Sequence, residues 1–190
     1  MNIKNIYASF LLFLIVIISV IIMIIPTFFT KGIARVSSDK RLNLPLILND
    51  KKDIKLLFFG YSGCRDICTP RLYSINDFYH TLDSSIKKRV GVEFLDISTP
   101  YDKTLPLRFA QFFNKNFKGI YLDKNILRDY TKAFNVFFSP SLLEENEYDH
   151  TSNLYLVKKT QGEKVLRYIY HAYPYNYKQI TLDIKELLNE

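Results

Sequence analysis

Cysteine and histidine are scarce in this sequence, which has two cysteines and three histidines among 190 residues. Both cysteines, Cys64 and Cys68, lie in the single stretch 58–70. Two thiols this close can form a disulfide or bind a soft metal, because one turn of chain brings their Cα atoms within the roughly 7 Å that a bridge requires. The sulfur chemistry of this chain is therefore confined to one segment.

A basic stripe and a nucleic-acid-binding motif are both lacking. The net charge is +7, but the surplus is dispersed, and the longest basic run is Lys87–Arg89. Nucleic-acid binding calls for a basic stripe together with a recognised motif. A dispersed surplus is typical of a solvated face near an anionic membrane. We therefore expect no nucleic-acid partner.

Charged residues are absent between Ile6 and Thr30. A run of roughly 20 apolar residues is long enough to cross a hydrocarbon core. A secretory signal peptide is the alternative, but its apolar region is about 7 to 15 residues long and ends at a small-residue cleavage site, which residues 30–34 do not provide. Residues 1–30 are therefore predicted to be a single transmembrane helix that serves as an uncleaved anchor, followed by a tether at 31–53 and a folded domain at 54–190.

Apolar periodicity in the predicted domain indicates alternating strands and helices. The run at 54–59 is typical of a strand buried on both faces, and Thr69 followed by Pro70 predicts a helix start capped by the threonine. The other expected elements are a short strand within 42–48, strands at 92–97 and 119–122, helices at 70–82, 105–116 and 125–136, a loop at 139–149, a hairpin of 154–157 with 165–170, and a helix at 177–188. This order predicts an α/β, thioredoxin-like fold.

The two cysteines precede the first predicted helix of the domain. A helix N-terminus stabilises a thiolate through its unpaired N–H groups and its dipole, and Arg65 between the cysteines would add positive charge. Cys64 and Cys68 are therefore expected to be reactive or metal-binding. The alternative is a passive disulfide or two buried apolar thiols.

The three histidines differ in how well they could join the cysteines. His80 lies about ten residues along the cysteine helix, roughly 15 Å away by the helical rise, and His171 ends a strand of the hairpin. His150 precedes the strand 154–157, whose start faces the cysteine loop in a thioredoxin-like topology. His150 is the candidate third ligand.

Three segments resemble the Sco/SenC family of copper-binding, membrane-anchored thioredoxin-like proteins. Gly60-Tyr61-Ser62-Gly63-Cys64-Arg65-Asp66-Ile67-Cys68-Thr69-Pro70 looks like its Cys-x-x-x-Cys-Pro motif. Residues 133–140, AFNVFFSP, are similar to its Ala-Tyr-x-Val-Tyr-Tyr-Ser-Pro-type segment. Asp149-His150-Thr151, followed by the strand 154–157, matches its Asp-His-Thr/Ser and strand. The resemblance covers about 54–190, in the family's order.

The resemblance implies a copper site formed by Cys64, Cys68 and His150, loaded with Cu(I) or also with Cu(II). Soft thiolates select Cu(I). It further implies a copper chaperone for the dinuclear copper centre of cytochrome c oxidase, with subunit II of the oxidase or another copper or thiol protein as partner.

Two other functions stay open at this point. The same dithiol can exchange disulfides, so the alternative is a thiol-disulfide oxidoreductase that keeps oxidase or other exported cysteines reduced. A third reading is an anchored binding module with an inert bridge. Whether the protein is an enzyme is therefore not decided by its sequence.

The sequence departs from the family pattern in three places. Arg65 and Thr69 stand where the family commonly has proline after each cysteine. The family's Asp-Pro-x-x-Asp-Thr-Pro segment is shortened to Asp96-Ile97-Ser98-Thr99-Pro100, and the region before Ile54 is too short for the usual N-terminal hairpin. A supporting role for Asp96 at the metal is left open by the second departure.

The expected location is the bacterial inner membrane, with the domain in the periplasm. Lys4 precedes the predicted anchor, whereas Lys31, Arg35, Lys40 and Arg41 follow it, and the positive-inside rule alone would keep the domain in the cytoplasm. Long domains, however, are exported largely regardless of such counts. An Arg- and Ser-rich transit segment is lacking, which favours a bacterial over a mitochondrial host.

Overall fold

The structure, a computed structural model, describes residues 3–29, 35–44, 52–142, 147–160 and 162–190. It divides into two compact units, Met1–Ala34 and Arg35–Glu190. The first unit contains helix α1 (Ile3–Phe29). Among the residues described, none of the helices was found to combine the length and the apolar character needed to cross a membrane. The anchor at residues 1–30 stays a prediction.

The second unit alternates strands and helices, as the apolar periodicity predicted. Its strands are β1 (Arg35–Arg41), β2 (Ile54–Gly60), β3 (Val90–Asp96), β4 (Lys118–Tyr121), β5 (Phe138–Pro140), β6 (Tyr148–His150), β7 (Leu154–Thr160) and β8 (Glu163–Tyr170). Its helices are α2 (Cys68–Thr81), α3 (Ser84–Arg89), α4 (Leu105–Phe113), α5 (Lys124–Phe134) and α6 (Tyr177–Asn189). The sequence analysis did not predict β1, α3, β5 or β6.

Six of the strands form one mixed sheet in the order β1-β8-β7-β2-β3-β4. Strand β2 is parallel to β3 and β3 is parallel to β4, whereas β7 runs antiparallel to both β2 and β8. The predicted hairpin, β7 with β8, therefore lies next to the strand that leads into the cysteines. The α/β architecture predicted from the sequence is confirmed.

Strand β2 is the centre of the core. All seven of its residues are buried, as expected for a strand covered on both faces. On one face Phe59 packs against Phe134 of α5 and Tyr155 of β7, with ring centroids 5.3 and 5.6 Å away. Aromatic pairs at these distances stabilise a core beyond their area burial. The end of β2 is therefore held rigidly where the cysteine loop begins.

The carboxyl ends of β2 and β3 meet at one edge of the sheet. Gly60 is the register partner of Asp96, and Phe58 is the partner of Leu154 at the start of β7. Ligands of α/β proteins commonly bind outside the carboxyl ends of parallel strands. This edge is where the cysteines, Asp96 and the segment after His150 come together.

Strand β1 corrects the expectation that residues 35–41 have no regular structure. Its sequence, RVSSDKR, shows no apolar alternation, and five of its seven residues are exposed. It pairs with β8, and the Arg35 side chain donates two hydrogen bonds of 2.8 Å to the buried carboxylate of Asp183 on α6. The strand is thus held by distant partners. Of the short strand expected within 42–48, residues 42–44 show no regular structure and the rest lies outside the described residues.

Candidate metal centre

Cys64, Cys68 and His150 form a cluster at the carboxyl edge of the sheet. Their potential ligand atoms all lie within 4.8 Å of one another. The Sγ atom of Cys68 is 3.6 Å from Nε2 of His150. Both cysteines are free thiols and are buried, whereas His150 is partly exposed. The structure thus brings together the three residues that the sequence and the family resemblance proposed as ligands.

The turn before α2 places the two sulfur atoms. Gly63 has a φ of +98°, a conformation that glycine adopts without steric cost, and the N–H of Cys64 donates to the carbonyl of Tyr61 at 3.2 Å. The backbone N–H of Cys68 donates to Sγ of Cys64 at 3.3 Å. The Cys64 sulfur therefore accepts a hydrogen bond from the first turn of α2, as a capping side chain would.

Thr69 does not cap the helix, which corrects the sequence prediction. Helix α2 begins at Cys68, and Thr69 lies within its first turn. The Thr69 hydroxyl donates a hydrogen bond of 2.7 Å to the carbonyl oxygen of Cys64. Because Thr69 lies inside the helix, its hydroxyl fixes the loop between the cysteines instead of capping α2.

His150 is presented by the small two-stranded sheet of β5 and β6. The sequence analysis assigned residues 139–149 to a loop, but its two ends form this ladder, in which His150 is the register partner of Phe138. The Nδ1 atom of His150 lies 3.0 Å from the Thr151 carbonyl oxygen. Because a carbonyl only accepts, Nδ1 carries a proton, and Nε2 is the ring nitrogen that faces the sulfur atoms. The ring of Tyr61 packs edge-on against the imidazole, 5.9 Å between centroids.

Asp96 ties together the two loops at the ends of β2 and β3. It is fully buried, and its carboxylate accepts hydrogen bonds from the backbone N–H and the hydroxyl of both Ser62 and Ser98, at 2.5 to 2.9 Å. Two of these bonds hold the turn that leads into Cys64. Asp96 is thus a positioning residue, a role that its place at the end of a predicted strand left open.

The two thiols are held in different protonation states in the metal-free protein. A hydrogen bond from the Cys68 thiol lowers the pKa of Cys64 to about 4, helped by His150 and by the N–H groups of Cys68 and Ile67. The same hydrogen bond, together with burial and the charge of Cys64, raises the pKa of Cys68. Around neutral pH the pair is therefore one thiolate, Cys64, and one thiol, Cys68.

The other residues singled out in the sequence lie away from the cluster. His80 is an exposed residue near the end of α2, and His171 is exposed after β8. Arg65 is exposed between the cysteines, so solvent screens its charge. The sequence analysis missed Tyr61 as a contact of His150, since an apolar pattern carries no sign of which distant segment a side chain faces.

The donor set fits a soft metal ion. Two thiolates and one imidazole nitrogen on a rigid edge are ligands that suit Cu(I), whereas oxygen donors would be needed for Mg²⁺ or Ca²⁺. The fold and the site together define a thioredoxin-like domain with a Cys-Cys-His metal centre.

Comparison with known proteins places the chain within one family. The profile of the SCO1/SenC family matches residues 51–189, and the chain belongs to this family. Apo Sco1 from Thermus thermophilus superposes with a TM-score of 0.60 at 26% identity, covering 82% of this chain and 93% of that one. Yeast Sco1 with copper bound superposes with a TM-score of 0.57 at 21% identity, covering 73% and 77%. The thioredoxin-like fold is thereby confirmed.

A curated relative covers a shorter segment. The SCO2-like protein of Rickettsia conorii is 24% identical over 127 residues, which are 63% of this chain and 60% of that protein. The chain thus spans less than two thirds of the length of this relative. Copper is the cofactor that the family and the Cys-Cys-His cluster both indicate.

Proposed function

We propose that this protein is a copper chaperone, which binds Cu(I) through Cys64, Cys68 and His150 and delivers it to the dinuclear copper centre of cytochrome c oxidase. The observation that carries the proposal is the cluster itself, in which two sulfur atoms and an imidazole nitrogen lie within 4.8 Å of one another. Yeast Sco1, which has the same fold, was crystallised with copper. The oxidase as recipient, with its subunit II as partner, rests on the family resemblance.

The arrangement suits the transfer of copper more than its permanent retention. Three protein ligands leave Cu(I) open to a further donor, and His150 is partly exposed whereas Cys64 and Cys68 are buried. A donor atom of the recipient can bind the ion while one bond to this chain breaks. Repeating the exchange moves the ion without oxidation or reduction, and the vacated Cys68 sulfur takes up a proton.

A complementation experiment tests this function. In cells lacking the protein, the wild-type chain is expected to restore cytochrome c oxidase activity, and His150→Ala is expected to fail because it removes one of three copper ligands. The purified full chain should bind about one Cu(I), as expected for a single three-ligand site.

His171→Ala is the matched control, since His171 is exposed after β8, and it should restore activity fully. Thiol-disulfide exchange needs the two cysteines but no imidazole ligand. Full restoration by His150→Ala would therefore contradict the chaperone function and favour the oxidoreductase.

We propose further that the domain lies in the periplasm, held to the inner membrane by residues 1–30. The support is the sequence between Ile6 and Thr30, which carries no charged side chain. A reporter enzyme that folds only in the cytoplasm, fused after Glu190, is expected to be inactive, and one that requires export is expected to be active. The reverse pattern would place the domain in the cytoplasm.

A further inference from the structure

Arg71 is a partly buried cation on α2. Its Nε atom is buried and has no hydrogen-bond partner among the described residues, and none of the ion pairs found in that part of the chain includes it. A charge withdrawn from water is costly unless it is paired. An anion of another kind is therefore expected close to this guanidinium.

Cys68, a proposed copper ligand, lies on the same helix as Arg71. Arg71 follows Cys68 by three residues in α2, a spacing that puts two side chains on the same helix face. Arg65, although it lies between the cysteines, is exposed.

The guanidinium stacks on a tyrosine of the loop between β8 and α6. Its central carbon lies 4.9 Å from the ring centroid of Tyr173, a cation–π distance. Two residues on, the Tyr175 hydroxyl donates a hydrogen bond of 2.8 Å to the carbonyl of Ser152, which closely follows His150. Arg71 thus reaches from α2 to the loop after β8. Tyr175 of that loop is hydrogen-bonded to Ser152, two residues after His150.

We propose that Arg71 is the counter-charge of the copper–thiolate unit and so sets how tightly the site holds Cu(I). This inference rests on the proposed function. One Cu(I), two thiolates and a neutral imidazole carry a net charge of −1, and the guanidinium balances it. Arg71 is therefore a positioning residue that acts through charge.

A set of three full-length variants tests the role of this charge. Arg71→Gln is expected to weaken Cu(I) binding about tenfold, the effect of one nearby opposite charge. Arg71→Lys keeps the charge and should recover most of the affinity. Arg65→Gln removes an exposed charge nearby and should stay within about twofold of wild type. Binding is measured by competition with a chromophoric Cu(I) chelator.

A copper-free readout separates charge from packing. Oxidation of the pair forms the uncharged Cys64–Cys68 disulfide and releases two electrons together with the protons that the reduced pair holds. A neighbouring cation favours the electron-rich reduced sulfur atoms over this disulfide. The reduction potential of Arg71→Gln should therefore become more negative, by about 30 mV for a tenfold effect, while Arg71→Lys and Arg65→Gln stay near wild type.

The outcomes distinguish this inference from the function on which it rests. If the wild type binds no Cu(I), the proposed function fails, and the potential still tests Arg71. If wild type binds and Arg71→Gln binds equally well, or if Arg71→Lys is as weak as Arg71→Gln, the counter-charge role is overturned. Glutamine and lysine are both good helix formers, so α2 should persist, and thermal unfolding checks this.

Discussion

Replacing Cys68 with serine is expected to lower the affinity for Cu(I) by more than a hundredfold. Changes that only touch the partners of a metal ligand typically cost 10- to 100-fold in affinity, and this substitution removes a ligand. Serine is nearly isosteric, but its hydroxyl is a hard donor that stays protonated and does not suit Cu(I). Competition titration of the full chain with a Cu(I) chelator measures the loss.

The pH dependence of the same titration identifies the ligand. Cys64 is already a thiolate at neutral pH because its pKa is lowered to about 4, whereas the raised pKa of Cys68 keeps that thiol protonated. Copper binding therefore releases about one proton, and the wild-type affinity should rise about tenfold per pH unit near neutrality. Cys68→Ser should lose this slope.

The control for this titration is His80→Ala, at an exposed position near the end of α2, which should match the wild type in affinity and slope. Cys68→Ser with an unchanged affinity would show that Cys68 is not a copper ligand.

Replacing Lys55 with methionine is expected to destabilise the fold by about 3 to 5 kcal/mol. Lys55 on β2 and Glu93 on β3 are both buried, with relative exposures of 1% and 2%, and their Nζ and Oε1 atoms are 2.5 Å apart. Methionine keeps the volume of the lysine stem but removes the ammonium group that pairs with the buried Glu93 carboxylate. Chemical denaturation gives the free energy of unfolding.

Two further variants decide whether the ion pair is the cause. The double variant Lys55→Met/Glu93→Leu removes both charges and should return close to wild-type stability, since an apolar pair of similar volume often replaces a buried ion pair without loss. Arg108→Met breaks an exposed pair with Asp102, whose side chains are 64% and 45% exposed, and should cost less than about 1 kcal/mol. A double variant as unstable as Lys55→Met would point to packing as the cause.

The elements predicted correctly are those whose buried residues form a regular apolar pattern within a short stretch of sequence. Strand β2 is apolar throughout because both its faces are covered, and α5 repeats its apolar residues at helical spacing. Strand β1 carries no such pattern, because its exposed residues need no apolar period. Its place depends on pairing with β8 and on the contact between Arg35 and Asp183, which are 148 residues apart.

The residues of the candidate site also differ in whether local sequence signals could reveal them. The cysteines could be located from the sequence because a strand end, a glycine turn and a helix start are all local signals. Asp96 could not be given a role, since its hydrogen bonds to Ser62 span 34 residues. His150 stood out from the other histidines only through the expected topology and the family pattern, because 82 residues separate it from Cys68.

The sequence by itself determined which reactive groups are present. They are two thiols at the junction of a buried strand and a helix, and an imidazole in a family motif. Only the tertiary structure decided how these groups act together. It placed Nε2 of His150 3.6 Å from Sγ of Cys68, gave the dithiol one thiolate and one thiol, and stacked Arg71 of the cysteine helix on the distant Tyr173. The reason is physical, since protonation and charge depend on distances between segments that folding alone brings together.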